Sequence, residues 1–259
     1  MNVFMIGDIV GRAGRRAVRK LLQEIKNEYN IDLVIANGEN AAGGFGITKK
    51  VADELFGYGI DCLTMGNHTW DNKDIFNFID DKGLRLIRPL NYTFNSPGKG
   101  YLFIKINDLN VAIINLIGQV FMGNYNNPID IYKKYIEDIK ENSDIIIIDF
   151  HAEASGEKMA FANFVDGQIA IVAGTHTHVQ TADAKILNKG TGYITDLGLT
   201  GAVESILGMK TEGIVKRYSS QLPQRYEVAK GKVQLEGAVF ELDLKSVKTS
   251  NIITIHRTY

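Results

Sequence analysis

The amino-acid sequence predicts an α/β fold in a single domain over residues 1–259, with two packed sheets and helices outside them. Three observations support this fold class. Short apolar runs alternate with amphipathic segments through the first hundred residues, as in βα units. The next segment has the pattern of an antiparallel hairpin, so a mixed sheet is expected. Two later apolar runs are continuous, which is typical of strands covered on both faces.

Three βα units come first, and each has an apolar strand, a glycine with a polar residue, and a helix. In the first helix, Val18 begins an apolar stripe at i, i+3, i+4 and i+7. Thr48 is placed to N-cap the second helix, and the third is expected to run through Ile75 and Ile79. The strands are predicted at Asn2–Ile6, Leu33–Ala36 and Cys62–Met65, with a fourth near Leu84–Ile87.

Strands predominate in the remainder of the chain. The predicted hairpin joins Tyr101–Ile106 to Val111–Ile117, and one helix is expected at Ile129–Ile139. Few helix signals follow. Further strands are predicted at Ile145–Phe150, Ile169–Ala173, Ala184–Leu187, Gly192–Thr195, Val233–Leu244 and Ile252–His256.

Composition and charge exclude several classes of protein. The formal charge is −1, from 29 Lys and Arg against 30 Asp and Glu, so any binding of nucleic acid or of an anionic membrane must be local. A single Cys excludes an internal disulfide framework. No apolar run approaches the roughly 18 residues that span a bilayer, and Met1 leads directly into a strand without a basic region or cleavage site. We therefore expect a cytoplasmic enzyme or binding protein.

Polar side chains follow the predicted strands at the points where the strands end. In open α/β sheets ligands bind outside the carboxyl ends of the strands, so these side chains could converge in space. Four of the five histidines belong to this set, and only His256 lies outside it. The set comprises Asp8, Glu39, Asn40, Asn67, His68, His151, His176 and His178.

The chemistry of this set predicts a metal centre. Carboxylate, amide and imidazole groups together suit Fe, Mn, Zn or Ni better than Ca²⁺, and the donors suffice for two ions. If the backbone stays extended, His176 and His178 point to the same face and could reach neighbouring ions. Glu39 is the favoured bridge between ions roughly 3.5–4 Å apart. Because only Asp8 and Glu39 are carboxylates, the loaded centre would stay positive and favour an anionic substrate, notably a phosphodiester.

Five motifs that contain these residues resemble those of the calcineurin-like metallophosphoesterases. The broad family usually has a His two residues after the first Asp and an Asp as the bridge, whereas this chain has Val10 and Glu39. With these departures and the stretch Thr-Asp-Leu-Gly-Leu-Thr-Gly, the chain resembles the bacterial YmdB-type subfamily. The motifs are Gly7-Asp8, Gly38-Glu39-Asn40, Gly66-Asn67-His68, Asp149-Phe150-His151 and Gly174-Thr175-His176-Thr177-His178.

The resemblance implies a four-layer αββα sandwich with a binuclear centre, favouring iron, that hydrolyses phosphodiesters such as 2′,3′-cyclic nucleotides. His68 would protonate the leaving oxygen while a metal-bridging hydroxide attacks phosphorus from the opposite side. Asn40 would compensate for the His that is missing at Val10. The ligands carried over are Asp8, Glu39, Asn40 and His178 for one ion, and Glu39, Asn67, His151 and His176 for the other.

Structural explanations compete with these roles. Asp8 and Asn67 could each cap the helix that follows, and His151 alone could be a hydrogen-bonded core histidine, but one metal centre accounts for the whole set. Cys62 is expected to be a buried small apolar residue. Arg12 could contact substrate, although basic runs on amphipathic helices are usually solvated faces.

The leading functional hypothesis is a dimetal phosphodiesterase that acts on cyclic nucleotides or short RNA ends. The competing hypothesis is a regulatory protein that binds a nucleotide or RNA at the same site with incidental turnover. Manganese and zinc also suit the ligands, and no membrane partner is expected. Arg217, Tyr218, Arg225 and Tyr226 could stack on or clamp a base, and the apolar residues of Leu199–Gly208 leave a homo-oligomer open.

Overall fold

The computed structural model describes residues 1–259, which form fourteen strands. Most predicted strands are present within one or two residues of their expected bounds. They are β1 (Asn2–Ile6), β2 (Asp8–Ile9), β3 (Leu33–Asn37), β4 (Cys62–Thr64), β5 (Leu86–Ile87), β6 (Tyr101–Ile106), β7 (Leu109–Ile117), β8 (Ile145–His151), β9 (Ile171–Thr175), β10 (Lys185–Ile186), β11 (Gly192–Ile194), β12 (Leu199–Ala202), β13 (Val233–Asp243) and β14 (Lys248–Thr258).

Five α-helices accompany the strands, and none of them is long and apolar enough to cross a membrane. Thr48 caps the second helix as predicted, because its side chain accepts the backbone N–H of Val51. The helix expected through Ile75 and Ile79 is only a short 3₁₀ turn, Lys73–Asn77, which buries Ile75 alone. The α-helices are α1 (Gly11–Glu28), α2 (Lys49–Gly57), α3 (Pro128–Glu141), α4 (Ser155–Phe164) and α5 (Thr211–Ser220).

Two mixed sheets form the centre of the molecule. The larger has eight strands in the order β2-β12-β13-β1-β3-β4-β5, with β14 on the free edge of β13. The smaller has six strands in the order β10-β11-β9-β8-β7-β6. The predicted hairpin is β6–β7, which pairs Tyr101 with Ile114. Strands β1, β3, β4 and β5 run parallel, as do β7, β8, β9 and β11, so each sheet collects several strand ends on one edge.

Three apolar clusters lie between four layers. Val3 and Met5 of β1 face the smaller sheet and pack with Ile113 and Ile147, whereas the alternate residue Phe4 faces α1 and α2 on the other side. A third cluster lies between the smaller sheet and helices α3 and α4. The order helix, sheet, sheet, helix confirms the αββα sandwich.

Leu199–Gly208 offers less apolar surface for a contact between copies than its sequence suggested. Its first part is β12, which pairs with β13 and with β2 and buries both Leu199 and Ala202. Only Val203 and Leu207 remain exposed among its large apolar residues. Because most of this apolar surface is used within the chain, the stretch offers little area for a second copy.

Candidate metal centre

The polar residues predicted at strand ends converge between the carboxyl edges of the two sheets. Glu39 lies in the turn after β3, Asn67 and His68 lie in the turn after β4, and His151 is the last residue of β8. His176 follows β9 directly. Glu39 and His151 are wholly or almost wholly buried, so the centre lies below the surface.

Glu39, His151 and His176 form the middle of this group. Their donor atoms all lie within 4.8 Å of one another. His151 Nε2 lies 3.1 Å from Glu39 Oε1, 3.1 Å from His176 Nδ1 and 2.9 Å from the amide oxygen of Asn67. The donor atoms of the four residues predicted to bind one ion therefore lie close together below the surface.

The remaining ligands lie on the other side of Glu39. His178 Nε2 is 3.6 Å from Asp8 Oδ1 and 3.3 Å from the side-chain amide of Asn40, which itself lies 3.4 Å from Glu39 Oε1. Glu39 thus touches both halves of the group. This is the position that a bridging carboxylate requires.

The backbone at the two histidines differs from the prediction. The φ angles of His176 and His178 are +103° and +60°, so the chain is bent rather than extended there. His176 contacts His151 while His178 contacts Asp8, and the two imidazoles serve opposite halves of the centre. Left-handed backbone is costly for a histidine, and it is held here by the backbone N–H of His176, which donates to Asp8 Oδ2.

Two observations test whether this group fits metal ions. Asp8 is fully buried, yet its Oδ1 accepts no hydrogen bond, so a carboxylate oxygen points into the centre without a donor. The contacts between His151 and its neighbours bring nitrogen and oxygen acceptors together, an arrangement that a cation would stabilise. The residues present therefore fit transition-metal ions.

Burial and charge shift the pKa values of these groups strongly. Burial opposes ionisation of Asp8, but the attraction of His178 outweighs it and holds the pKa of Asp8 far below its usual range. Burial likewise opposes protonation of His178, and Asp8 overcomes this and raises the pKa of His178 to about 9. His176 has the opposite behaviour, because burial and repulsion by His151 lower its pKa to about 3. Without metal, His178 is protonated at neutral pH and His176 is a neutral donor.

His68 stands at the edge of the centre. Its backbone N–H donates to Glu39 Oε2 over 2.8 Å, which fixes the turn against the middle of the group. Its side chain retains 27% of its exposure, and Nδ1 lies 2.7 Å from Asp71 Oδ2. The ring of Phe45 meets the imidazole edge-on with centroids 5.0 Å apart. His68 is therefore an accessible imidazole with one nitrogen fixed by a carboxylate.

Asp71 was not predicted, although it lies only three residues after His68. Because turns bring residues i and i+3 together, this spacing could have indicated that Asp71 contacts His68. Glu153 was also missed, and its carboxylate lies 3.1 Å from His176 Nε2. No pattern in the sequence indicated Glu153, because it follows the end of β8 by two residues and comes close to His176 only in the folded chain.

A buried ion pair supports the loop that contains the two histidines. Lys158 of α4 lies 2.9 Å from Asp196, with both side chains almost completely buried. Asp196 also accepts the backbone N–H of Thr177, and Lys158 donates to the carbonyl of Thr175. The pair therefore fixes the backbone on either side of His176.

The structure excludes helix capping for Asp8 and Asn67, and it leaves Cys62 and His256 outside the metal centre. Asp8 does not cap α1, whose N-cap is Val10 without a side-chain hydrogen bond, and Asn67 contacts His151 instead of capping a helix. Cys62 is buried, as expected, and burial raises the pKa of its thiol. His256 lies outside the centre, where it pairs with Glu236 over 2.8 Å.

Val10 occupies the position where the broad family usually has a histidine. Val10 is completely buried in an apolar cluster with Leu199 and Met209. It also packs closely against Gly208, because a Cβ atom added to that glycine would lie 2.7 Å from Cγ1 of Val10. The side chain at position 10 is therefore part of the core. The amide of Asn40 lies beside His178 and Glu39, so it is positioned where it could replace that ligand.

Comparisons with known proteins agree with this architecture. The model of a family described as YmdB-like protein matches residues 4–255. A 2′,3′-cyclic-nucleotide 2′-phosphodiesterase of Bacillus subtilis (strain 168) is 46% identical over 256 residues, which cover 98% of this chain and 97% of that protein. A crystal structure of a hypothetical protein from Thermus thermophilus has a TM-score of 0.93 at 36% identity and covers 100% of this chain and 99% of the other. A structure described as a novel phosphatase from Mycoplasma pneumoniae has a TM-score of 0.93 at 35% identity, with 100% and 93% covered.

Proposed function

Because this chain belongs to the YmdB-like protein family, as its motifs predicted, we propose that it is a metal-dependent phosphodiesterase that hydrolyses 2′,3′-cyclic nucleotides or related small phosphodiesters. The observation that supports this most directly is the convergence of the predicted ligands around Glu39, with His68 beside them. The printed name of the B. subtilis relative, which is 46% identical over nearly the full length of both chains, supports the substrate class.

The centre would hold two transition-metal ions, with iron favoured and manganese or zinc as alternatives. When bound, the ions would activate water and offset the negative charge of the phosphodiester. Glu39 touches both halves of the centre and would bridge the ions. We assign Asp8, Glu39, Asn40 and His178 to one ion, and Glu39, Asn67, His151 and His176 to the other.

Proton transfer is the part of the reaction assigned to His68. Hydrolysis adds the hydroxyl of water to phosphorus, breaks the bond from phosphorus to the leaving ribose oxygen, and requires a proton on that oxygen. Asp71 holds Nδ1 of His68, so Nε2 is the nitrogen that would donate this proton. The same contact orients the imidazole ring. The products are a phosphomonoester and a free hydroxyl.

The binding-protein hypothesis is not favoured by this arrangement. A site that only captures a nucleotide needs cations and a shaped surface, and it does not need an accessible imidazole oriented by a carboxylate. The pair of His68 and Asp71 supports turnover at this centre.

The test combines metal analysis with turnover. The purified protein should contain close to two transition-metal ions per chain, and a screen of phosphomonoesters, 2′,3′-cyclic nucleotides and RNA at defined Fe or Mn loading should single out the cyclic nucleotides. His68→Ala should keep the metal and lose about 10²–10⁴-fold in turnover, the usual scale for a general acid. His256→Ala is the matched control, because that histidine lies outside the centre. Full activity of a metal-free preparation, or unchanged turnover of His68→Ala, would contradict the proposal.

A further inference from the structure

A cavity of about 580 Å³ opens beside the first turns of helix α1. Helix α1 provides one wall with Arg12 and Arg16, and the segment before β13 provides another with Arg225, Tyr226 and Lys230. None of the proposed metal ligands lines this cavity. It is large enough for a nucleotide-sized ligand.

The charge around the cavity is strongly unbalanced. Four basic side chains and one acidic side chain line it, and the acidic one, Glu227, is paired with Lys210 over 2.6 Å. Arg12, Arg225 and Lys230 form no ion pair and no side-chain hydrogen bond, and Nε of Arg16 is buried without a partner. In a chain with a formal charge of −1, this clustering of unpaired cations indicates a site for an anion.

The cavity and the metal centre share their supporting backbone. Gly11, next to Arg12, donates its N–H to the carbonyl of Asn40 over 2.9 Å. On the other side, Ala229 donates to the carbonyl of Gly208, whose neighbour Leu207 contacts His178 Nδ1 through its carbonyl. The cavity therefore adjoins the half of the centre that contains Asn40 and His178.

Tyr226 gives the cavity a surface suited to a nucleoside. Its ring is half-buried, and the guanidinium of Arg217 lies 5.5 Å from the ring centre. Aromatic surfaces next to basic groups are the usual way to hold a base and its phosphate. Arg225 and Tyr226 thus occupy the place where a clamp for a nucleotide is needed.

We propose that this cavity binds the nucleotide unit on the 5′ side of the cyclic phosphate, so that the preferred substrates are oligoribonucleotides ending in a 2′,3′-cyclic phosphate. The inference rests on the proposed function. A 2′,3′-cyclic phosphate occupies both lower hydroxyls of its ribose, so a chain can continue only through O5′ and its phosphate. An anion site that adjoins the centre is where that phosphate and the preceding nucleoside would lie.

The experiment compares adenosine 2′,3′-cyclic phosphate with the diadenylate that carries the same cyclic end. Fully loaded enzyme should have a kcat/KM about tenfold higher for the dinucleotide, mainly through a lower KM, as expected for one charge-assisted phosphate contact. The double variant Arg225→Gln, Lys230→Gln should reduce this ratio towards one. Lys232→Gln is the matched control, because Lys232 is exposed close by but does not line the cavity, and it should keep the ratio.

Other outcomes would overturn the inference. A ratio near one for the unmodified enzyme would do so, and so would an equal fall for both substrates in the double variant. Adenosine 5′-monophosphate could also inhibit turnover of the mononucleotide without raising the apparent KM. That result would assign the cavity to a free nucleotide as a regulatory site.

A binding measurement separates failure of this inference from failure of the proposed function. If metal-loaded protein hydrolyses neither substrate, the proposed function fails. The affinities of the protein for the dinucleotide 3′-phosphate and the mononucleotide 3′-phosphate then test whether the cavity binds the second nucleotide. Tighter binding of the dinucleotide that is lost in the double variant supports the cavity assignment, and equal affinities overturn it.

Discussion

Replacement of Asp71 by Asn is the most direct test of how the site protonates its leaving group. The substitution keeps the size of the side chain and an oxygen that can accept from His68 Nδ1, but it removes the negative charge 2.7 Å from that nitrogen. The neutral amide cannot balance the positive charge that His68 carries while it delivers the proton. Proton delivery therefore loses its charge partner while the position of the imidazole changes little.

The structure sets the size of the expected effect. A hydrogen bond to a charged group contributes about 1.5–3 kcal/mol. The side chains of His68 and Asp71 retain 27% and 45% of their exposure, so solvent screening favours the lower limit. About 1.4 kcal/mol corresponds to a tenfold loss of rate. We expect kcat for adenosine 2′,3′-cyclic phosphate to fall about tenfold in Asp71→Asn, less than in His68→Ala.

The assay pairs this substrate with bis(4-nitrophenyl) phosphate, whose leaving group departs without protonation. If Asp71 acts through proton transfer, the substitution lowers turnover of the cyclic nucleotide and spares the nitrophenyl ester. Asp108→Asn, in the exposed turn between β6 and β7, is the matched control and should change neither rate. Equal losses on both substrates would refute the reasoning and assign Asp71 to the general integrity of the site.

Three further predictions concern the centre and its support. Glu39→Ala should lose both metal ions by elemental analysis, because this carboxylate touches both halves of the centre; retention of one ion would contradict its role as bridge. Lys158→Met should lower the free energy of unfolding by about 3–5 kcal/mol in denaturant titrations, since it leaves the buried charge of Asp196 unpaired; a loss below about 1 kcal/mol would show that the pair is not needed. Metal binding at pH 7 should release about one to two protons per chain, mainly from His178, whose pKa of about 9 keeps it protonated until metal displaces the proton. Calorimetry in buffers of different ionisation enthalpy measures this release, and none would show that His178 is not a ligand.

The parts of the fold with strong periodic patterns were predictable from the sequence. The strands ending at Gly7, Gly38 and Gly66 have continuous apolar runs followed by glycine, and all three are present. Helices α4 and α5 gave weak signals, because α5 buries only Ile214 and α4 has no side-chain cap. The third expected helix is instead a short 3₁₀ turn: Ile75 and Ile79 are both buried, but Phe76 between them is 54% exposed, so the segment does not present one continuous apolar face.

The candidate site was predictable as a set but not in its geometry. The motifs at strand ends identified the residues that now lie together, because parallel strands bring their carboxyl ends to one edge. The bend at His176 and His178 could not be foreseen, since it depends on the backbone contact with Asp8 from the opposite sheet. The cavity could not be predicted for the same reason, because it forms only when folding brings together Arg12 and Arg225, which lie far apart in the sequence.

The distribution of charge changes the meaning of the near-neutral composition. The sequence alone indicated that metal ions must provide the positive charge that attracts a phosphate substrate, because the formal net charge of the chain is −1. The structure adds a second source, since the cations of the cavity are gathered on α1 and on the segment before β13. The two sources have different tasks. The centre acts on the phosphodiester itself and is common to every substrate, whereas the cavity can contact only what lies beyond the terminal nucleoside. Discrimination between a free cyclic nucleotide and the end of an RNA must therefore depend on residues that have no part in breaking the bond.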